Sequence, residues 1–128
     1  MKNLIVILLF STVMFSSPSY AEWTKLGENV HGNTFYLDYE RIRKHDGYVY
    51  SWDLTDYLKP TKYGDLSSKL YLQGDCKLFR YKVLSDSYHI EPMGRGTPST
   101  SSSKPDTEWR YPSPNSSSET TFKQVCNR

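Results

Sequence analysis

Two cysteines, Cys76 and Cys126, are the residues of this sequence whose type and spacing point most directly to chemistry. Thiols pair in oxidising compartments and stay reduced in the cytoplasm, so their chemistry depends on where the chain resides. An internal disulfide would close a loop of 50 residues and stabilise the fold by about 4 kcal/mol in the chain-entropy treatment. Two buried free thiols and an intermolecular bridge are the alternatives, and we favour the internal pair.

The first residues of the chain have the pattern of an export signal. Lys2 precedes an unbroken apolar run at 4–10, and a stretch of small residues ends at Ala21, as at a signal cleavage site. The apolar run is shorter than the ~20 residues that a membrane-spanning helix needs, so no stable membrane span is expected. We predict a signal peptide over 1–21 and a single exported domain over 22–128. No cysteine follows the cleavage point, so the sequence has no lipobox, and a periplasmic, outer-surface or secreted location is expected.

No other group of residues has the spacing of a catalytic or metal site. The three histidines, which are His31, His45 and His89, lie far apart in the sequence. A haem- or metal-ligand role for His31 or His89 stays open, but the sequence supplies no partner ligand. The carboxylate pairs Asp53 with Asp56 and Asp38 with Glu40 are expected to be solvated, and the serines form no nucleophile elbow. We therefore predict a non-enzymatic protein without a metal or cofactor.

Charge and tyrosine content are the features that suggest binding. The formal net charge is only +2, which argues against a nucleic-acid partner, since that function needs a strongly basic face. Basic residues nevertheless gather at 41–44 and at 77–82. Eleven tyrosines offer amphipathic contact area, which suits protein recognition and equally suits an ordinary sheet.

A partner-binding surface on the strand and loop of 77–96 is the resulting hypothesis. Its expected residues are Lys77, Arg80, Tyr81, Lys82, Tyr88 and Arg95. These side chains would engage a protein partner or a polyanion. Ordinary solvated charge is the alternative interpretation.

The mature region has the pattern of an antiparallel sheet followed by one helix. Strands are predicted at 22–27, 34–38, 48–57, 67–75, 77–89 and 108–111, with a helical turn or loop at 39–44. Proline, glycine and serine over 92–108 predict an exposed, mobile loop. A capping box at 116–119 begins the helix, in which Phe122, Val125 and Cys126 share one face. The predicted fold class is α+β: about six antiparallel strands with a C-terminal helix packed on one face and tethered by the disulfide.

Alternation along the strand at 48–57 predicts two chemically different sheet faces. Side chains pointing one way are Tyr48, Tyr50, Trp52 and Leu54, and those pointing the other way are Val49, Ser51, Asp53 and Thr55. One face of this half-buried strand therefore carries an aromatic stripe.

With these residues in place, the sequence resembles the surface-adhesin E-like family of small exported bacterial proteins. The resemblance covers nearly the whole mature region and rests on Trp23 with Leu26-Gly27, Phe35-Tyr36-Leu37-Asp38, Val49-Tyr50-Ser51-Trp52-Asp53-Leu54, Ser67-Ser68-Lys69, Asp75-Cys76, Met93-Gly94-Arg95-Gly96, Trp109, Pro114-Asn115-Ser116 and Val125-Cys126. It implies an antiparallel sheet with a C-terminal helix tied to one face by a disulfide.

The resemblance also implies adhesion as an activity. In the family, adhesion means that a lipid-anchored virulence protein binds plasminogen and host extracellular-matrix proteins such as laminin and vitronectin. This chain lacks the lipobox cysteine of that member. A soluble periplasmic inhibitor or accessory protein of the cell envelope is therefore the alternative expectation.

Overall fold

The structure, a computed structural model, describes residues 21–128. The predicted signal peptide, except for Ala21, lies outside the described residues. The elements are β1 (Thr24–Glu28), β2 (Thr34–Leu37), β3 (Arg43–His45), β4 (Tyr48–Asp56), β5 (Ser67–Asp75), β6 (Arg80–His89), β7 (Thr100–Ser102) and α1 (Ser117–Cys126), with short 3₁₀ helices at Tyr39–Arg41 and Pro92–Gly94. No helix in this part of the chain is long and apolar enough to cross a membrane.

The strands form one antiparallel sheet with neighbours in the order β1-β2-β4-β5-β6-β7, which confirms the predicted α+β class. β3 lies off this path, because β4 is long enough to pair with β3 through its first half and with β2 through its second half. The other edge of β4 pairs with β5 over nearly the whole length of β4. β1 and β7 end this strand order, the outer edge of β3 is also unpaired among the described strands, and β1 contains a bulge between Lys25 and Gly27.

β3 is an element that the sequence pattern did not indicate. The predicted helical turn is confirmed at Tyr39–Arg41, but the chain then continues as a strand. The cause is the turn Asp46-Gly47, whose φ angles of 51° and 81° suit a two-residue type I′ hairpin. This turn folds β3 back onto β4, with His45 opposite Tyr48.

The turn between β5 and β6 occupies residues 76–79, so β6 begins at Arg80 and not at the predicted residue 77. Phe79 in this turn has a φ of 51°, which is uncommon for a bulky residue. Its ring packs edge-on against Phe122 of α1, with the ring centroids 4.9 Å apart. This long-range contact offsets the strain, and a local sequence pattern cannot reveal it.

Residues 92–108, predicted as an exposed mobile loop, contain the second 3₁₀ helix and β7. β7 comes from the serine-rich run, in which Thr100–Ser102 pairs with the end of β6. All three of its residues are exposed. Because the strand has no apolar alternation, the usual strand signal is absent and the hydrophobic pattern cannot predict it.

The strand predicted at 108–111 is reduced to one bridge, between Arg110 and Tyr81. Just upstream, the backbone N–H of Asp106 donates to the carbonyl of Val83, and the N–H of Val83 donates to the Asp106 carboxylate, both at 2.9 Å. These bonds hold the chain beside β6.

α1 packs on one face of the sheet, as predicted. Ser116 caps the helix, since its Oγ accepts a hydrogen bond from the N–H of Glu119 at 3.1 Å. At the other end, Cys126 forms the predicted disulfide with Cys76, and their Cα atoms are 5.5 Å apart. The helix is therefore fixed at both ends, by a cap and by a covalent bond.

The core lies between α1 and the sheet. Leu37, Val49 and Val125 form its centre, and each is nearly or fully buried. Phe122, which is 2% exposed, lies beside them directly over Gly74. The absence of a side chain at this glycine lets the helix approach the sheet closely.

Replacing Gly74 by alanine is expected to lower the free energy of unfolding by about 2 kcal/mol. A Cβ atom here would lie 2.7 Å from Phe122 Cε2 and 2.8 Å from Val49 Cγ1. Urea unfolding measures the effect. Gly27→Ala is the matched control, because a Cβ at that position meets no atom within 4 Å. Equal losses of stability in the two variants would contradict the expectation that close packing over Gly74 stabilises the fold.

Candidate functional site

The two faces of the sheet differ in what covers them. α1 packs on the face that carries Val49 and Gly74, and no described α-helix covers the opposite face. We call this second surface the open face. It is formed by Tyr48, Tyr50, Trp52, Lys69, Tyr71, Arg80 and Lys82, with Arg41 and Trp109 packed on it. The aromatic stripe predicted for β4 therefore lies on the side away from the helix.

Aromatic rings form a row across the centre of the open face. The ring centroids of Trp52 and Tyr71 are 4.7 Å apart, and those of Tyr50 and Tyr71 are 6.1 Å apart. Tyr48 extends the row to Trp109, whose centroid is 5.8 Å away. All five side chains are partly exposed. Such rings offer a large contact area at low entropic cost, so the row is suited to contact with a partner.

Two cations lie over Trp109 at one end of this row. The guanidinium carbon of Arg80 is 4.5 Å from the ring centroid, and Nζ of Lys82 is 4.8 Å from it. Arg80 Nε also donates to Asp75 Oδ2 at 2.9 Å. Burial disfavours the ionised form of Asp75, but hydrogen bonds from the N–H of Leu78 and from Arg80 outweigh it and lower the pKa of Asp75. Lys82 forms no ion pair within residues 21–128.

A third cation, Arg41, lies between two tryptophans at the other end of the row. Its guanidinium carbon is 5.0 Å from the ring centroid of Trp52 and 5.8 Å from that of Trp23. Its Nε donates to Asp38 Oδ2 at 2.6 Å. Asp38 is only 1% exposed, contrary to the expectation of a solvated carboxylate, so a buried carboxylate sets the orientation of the guanidinium.

Beside Arg41 the open face deepens into a cleft of about 900 Å³, which is within the size range of ligand sites. Its lining includes Trp23, Arg41, Lys69, Met93 and Arg95, and we call it the cationic cleft. Burial, together with the nearby charge of Arg41, lowers the pKa of Lys69. Of its three cations, Arg41 is paired with the buried Asp38, whereas Lys69 and Arg95 form no ion pair within residues 21–128.

The structure separates the six residues that the sequence predicted for partner binding. Arg80 and Lys82 lie together on the open face. Arg95 lies on the same face, at the cationic cleft. Lys77 is exposed in the turn at 76–79.

Tyr81 and Tyr88 point to the other face of the sheet. The ring centroid of Tyr81 is 5.8 Å from that of Phe122 in α1. Tyr88 lines a separate groove with Tyr63 and Thr100. Tyr81 does not join Arg80 and Lys82, its neighbours in sequence, because successive side chains of a strand point to opposite faces.

Trp23, Lys69 and Tyr71 are open-face residues that the sequence analysis did not assign to a site. The register places Tyr71 directly opposite Trp52, and a preference for aromatic cross-strand pairs is the signal that could have found it. Trp23 and Lys69 are brought together by a strand order that no local pattern contains.

Asp53 departs from the expectation of a solvated carboxylate. It lies on the helix-covered face, and its Oδ1 is enclosed without a hydrogen-bond partner. Burial raises the pKa of Asp53 to about 7. Because the residue as a whole is partly exposed, the free-energy cost of ionising it in the folded protein is smaller than for a fully buried carboxyl. Asp56 does not pair with it but accepts a hydrogen bond from the N–H of Met93 at 2.8 Å. Within residues 21–128, no group of three or more His, Cys, Asp or Glu side chains could hold a metal ion.

Together these features define a small disulfide-tethered sheet–helix domain with a surface suited to binding. The sequence profile of the surface-adhesin protein E family matches residues 23–127, so the chain belongs to this family. The resemblance seen in the sequence is thereby confirmed, and the protein is placed among adhesin-like surface binding proteins. No curated protein sequence matches the chain.

Solved structures with a similar fold include protein E of Haemophilus influenzae. Crystal form II of that protein superposes with a TM-score of 0.60 at 17% identity, covering 84% of this chain and 89% of that chain. Protein E from non-typeable Haemophilus influenzae superposes with a TM-score of 0.53 at 15% identity, covering 87% of this chain and 79% of that chain. At this level of identity the likeness establishes the fold alone.

Proposed function

We propose that the protein is an exported, non-enzymatic, adhesin-like protein that binds its partner through the open face. The observation that carries the proposal is the row of five partly exposed aromatic rings, with cations at both ends, on the face that α1 leaves uncovered. Membership of the surface-adhesin protein E family supports it.

The chemistry of the open face favours a partner with an acidic surface. Aromatic and arginine side chains supply much of the binding energy at protein interfaces. The contacts of Arg80 and Lys82 with Trp109 hold both cations in place, so less side-chain entropy is lost on binding. Lys77 and Arg95 extend the positive surface. Laminin, vitronectin, plasminogen and polyanions are the proposed partners.

Replacing Lys82 by glutamine is expected to weaken partner binding about tenfold, because one charge-assisted contact is lost. Surface plasmon resonance of the disulfide-bonded mature protein over immobilised laminin, vitronectin, plasminogen and heparin measures the change. Lys59→Gln is the matched control, since it removes one exposed cation outside the open face. No binding to any of these surfaces at micromolar protein, or equal losses in the two variants, would refute the proposal.

A soluble periplasmic inhibitor or accessory protein of the cell envelope is the second candidate. The observation that favours it is the missing lipobox cysteine. Protease added to intact cells separates the two functions. Digestion of the mature protein supports an adhesin, whereas protection until the outer membrane is permeabilised supports a periplasmic role.

A further inference from the structure

We propose that the cationic cleft binds the sulfate or carboxylate group of an acidic sugar unit, and that the row of aromatic rings continues this site along a linear acidic polysaccharide. The inference deepens the proposed function and rests on it for the use of the open face as a binding surface. It adds a specific anchor, formed by Trp23, Arg41, Lys69 and Arg95, at the end of the row away from Trp109.

Arg41 supplies a pair of donors that the protein itself does not use. Its Nε is occupied by Asp38, but neither Nη nitrogen donates a hydrogen bond to a described residue. The guanidinium also contacts two rings, since its carbon is 5.8 Å from the ring centroid of Trp23 and 5.0 Å from that of Trp52. A planar fork of fixed orientation matches the paired oxygens of a carboxylate or sulfate.

Lys69 and Arg95 add positive charge that is not paired within the described part of the chain. The ion pairs there involve neither side chain. The carboxylate of Glu91 lies against Gly96, the residue after Arg95, but it forms no ion pair with Arg95 and does not line the cleft. Burial lowers the pKa of Lys69, so an anion entering the cleft would stabilise the charged ammonium.

The loop that carries Arg95 is held in a strained conformation by buried polar groups. Met93 has a φ of 60°, and its N–H donates to Asp56. The N–H of Gly94 donates to Oγ of Ser67 at 2.8 Å, and Ser67 is fully buried. Strained backbone persists only where its surroundings enforce it, and it concentrates at ligand sites.

Two further contacts fit this loop to the cleft. Gly94 lies against the stem of Lys69, since a Cβ atom at the glycine would be 2.8 Å from Lys69 Cδ. Nδ1 of His89, a residue that is 1% exposed, lies 3.2 Å from the carbonyl oxygen of Gly96. The loop therefore positions both Lys69 and Arg95 before a ligand arrives, which reduces the entropy lost on binding.

The open face favours a polysaccharide over an acidic peptide as the occupant. Tyr48, Tyr50 and Trp52 recur at every second residue of β4, about 6.7 Å apart along the strand. A regular row of flat rings that starts at the cleft suits successive sugar rings, whose apolar faces pack on aromatic side chains. Cations at both ends of the row suit a polymer that carries negative charge at intervals.

The test is an NMR titration of the ¹⁵N-labelled mature protein with a heparin-derived hexasaccharide, read at the tryptophan indole N–H signals. Saturable shifts are expected at Trp23 and Trp52. Lys69→Met and Arg95→Gln are each expected to weaken binding about tenfold, because each removes one charge-assisted contact. Lys59→Gln is expected to leave binding nearly unchanged, and a neutral hexasaccharide is expected to cause no shift.

The outcomes separate this inference from the proposed function. Shifts confined to Trp109, or the same loss in Lys59→Gln as in Lys69→Met, would overturn the cleft as a site and leave the proposed function standing. A glutamate-rich peptide that binds as tightly as the hexasaccharide would overturn the assignment to a sugar. Hexasaccharide binding at the cleft without any matrix-protein binding would support this inference and overturn laminin, vitronectin and plasminogen as partners.

Discussion

Replacing both Cys76 and Cys126 by alanine is expected to lower the free energy of unfolding by about 4 kcal/mol. The bridge spans 50 residues, so its loss restores considerable conformational entropy to the unfolded chain. It also releases α1, whose 10 residues are too few to form a stable helix alone. A loss of this size is a large part of the roughly 5–15 kcal/mol that stabilises a typical domain.

Urea unfolding followed by circular dichroism tests this expectation. The comparison includes oxidised wild type, reduced wild type and the double variant. The reduced wild type and the double variant should unfold at similar urea concentrations, because both lack the bridge. A loss below about 1 kcal/mol, under the range for removing a native disulfide, would show that α1 holds to the sheet through packing alone.

Replacing Asp53 by asparagine is expected to remove a pH dependence of stability worth about 3 kcal/mol. The pKa of this carboxyl is about 7 in the folded protein and 3.8 when exposed. Below the unfolded pKa the group is protonated in both states, and its folded form carries no penalty. As pH rises towards 7 the unfolded state ionises first, so stability falls, and above the folded pKa the loss is constant. The full difference between the two pKa values corresponds to about 4 kcal/mol. Because Asp53 is partly exposed, we expect the smaller effect of about 3 kcal/mol.

The measurement is the free energy of unfolding of wild type and Asp53→Asn at several pH values from 4 to 8. The difference in free energy of unfolding between the two proteins isolates the contribution of Asp53. Groups whose pH dependence has the opposite sign contribute equally to both proteins and cancel. One such group is Asp106, because its hydrogen bond with Arg110 lowers its pKa and stabilises the fold only above the acid range. Glu108→Gln is the control, since Glu108 is exposed and forms no ion pair within the described residues. Parallel pH profiles for wild type and Asp53→Asn would refute the buried-charge account.

Local patterns were sufficient where a structural element depends on its own residues. The capping box predicts the start of α1 at Ser116, because the cap is made by the serine and the residues that follow it. Alternation along β4 predicts which side chains share a face, because the period of a strand is two. The disulfide could also be predicted, since only two cysteines are present.

Features that depend on distant contacts could not be predicted in this way. β7 has no apolar residue, so its existence depends on the free edge of β6. Asp53 is buried because α1 packs over it, and a polar residue on an alternating strand gives no sign of this. The cationic cleft joins residues near positions 23, 41, 69 and 95, and only the strand order brings them together.

The edge strands of the sheet bear on self-association. An exposed strand edge is a template for pairing with another chain, and bulges, charges and short strands oppose such pairing. β1 carries a bulge with Lys25 and Glu28 close by, and β3 and β7 are each only three residues long and entirely polar. At high local concentration the molecules are therefore expected to stay separate. A partner is therefore expected to bind through side chains on the open face and not through backbone pairing at a strand edge.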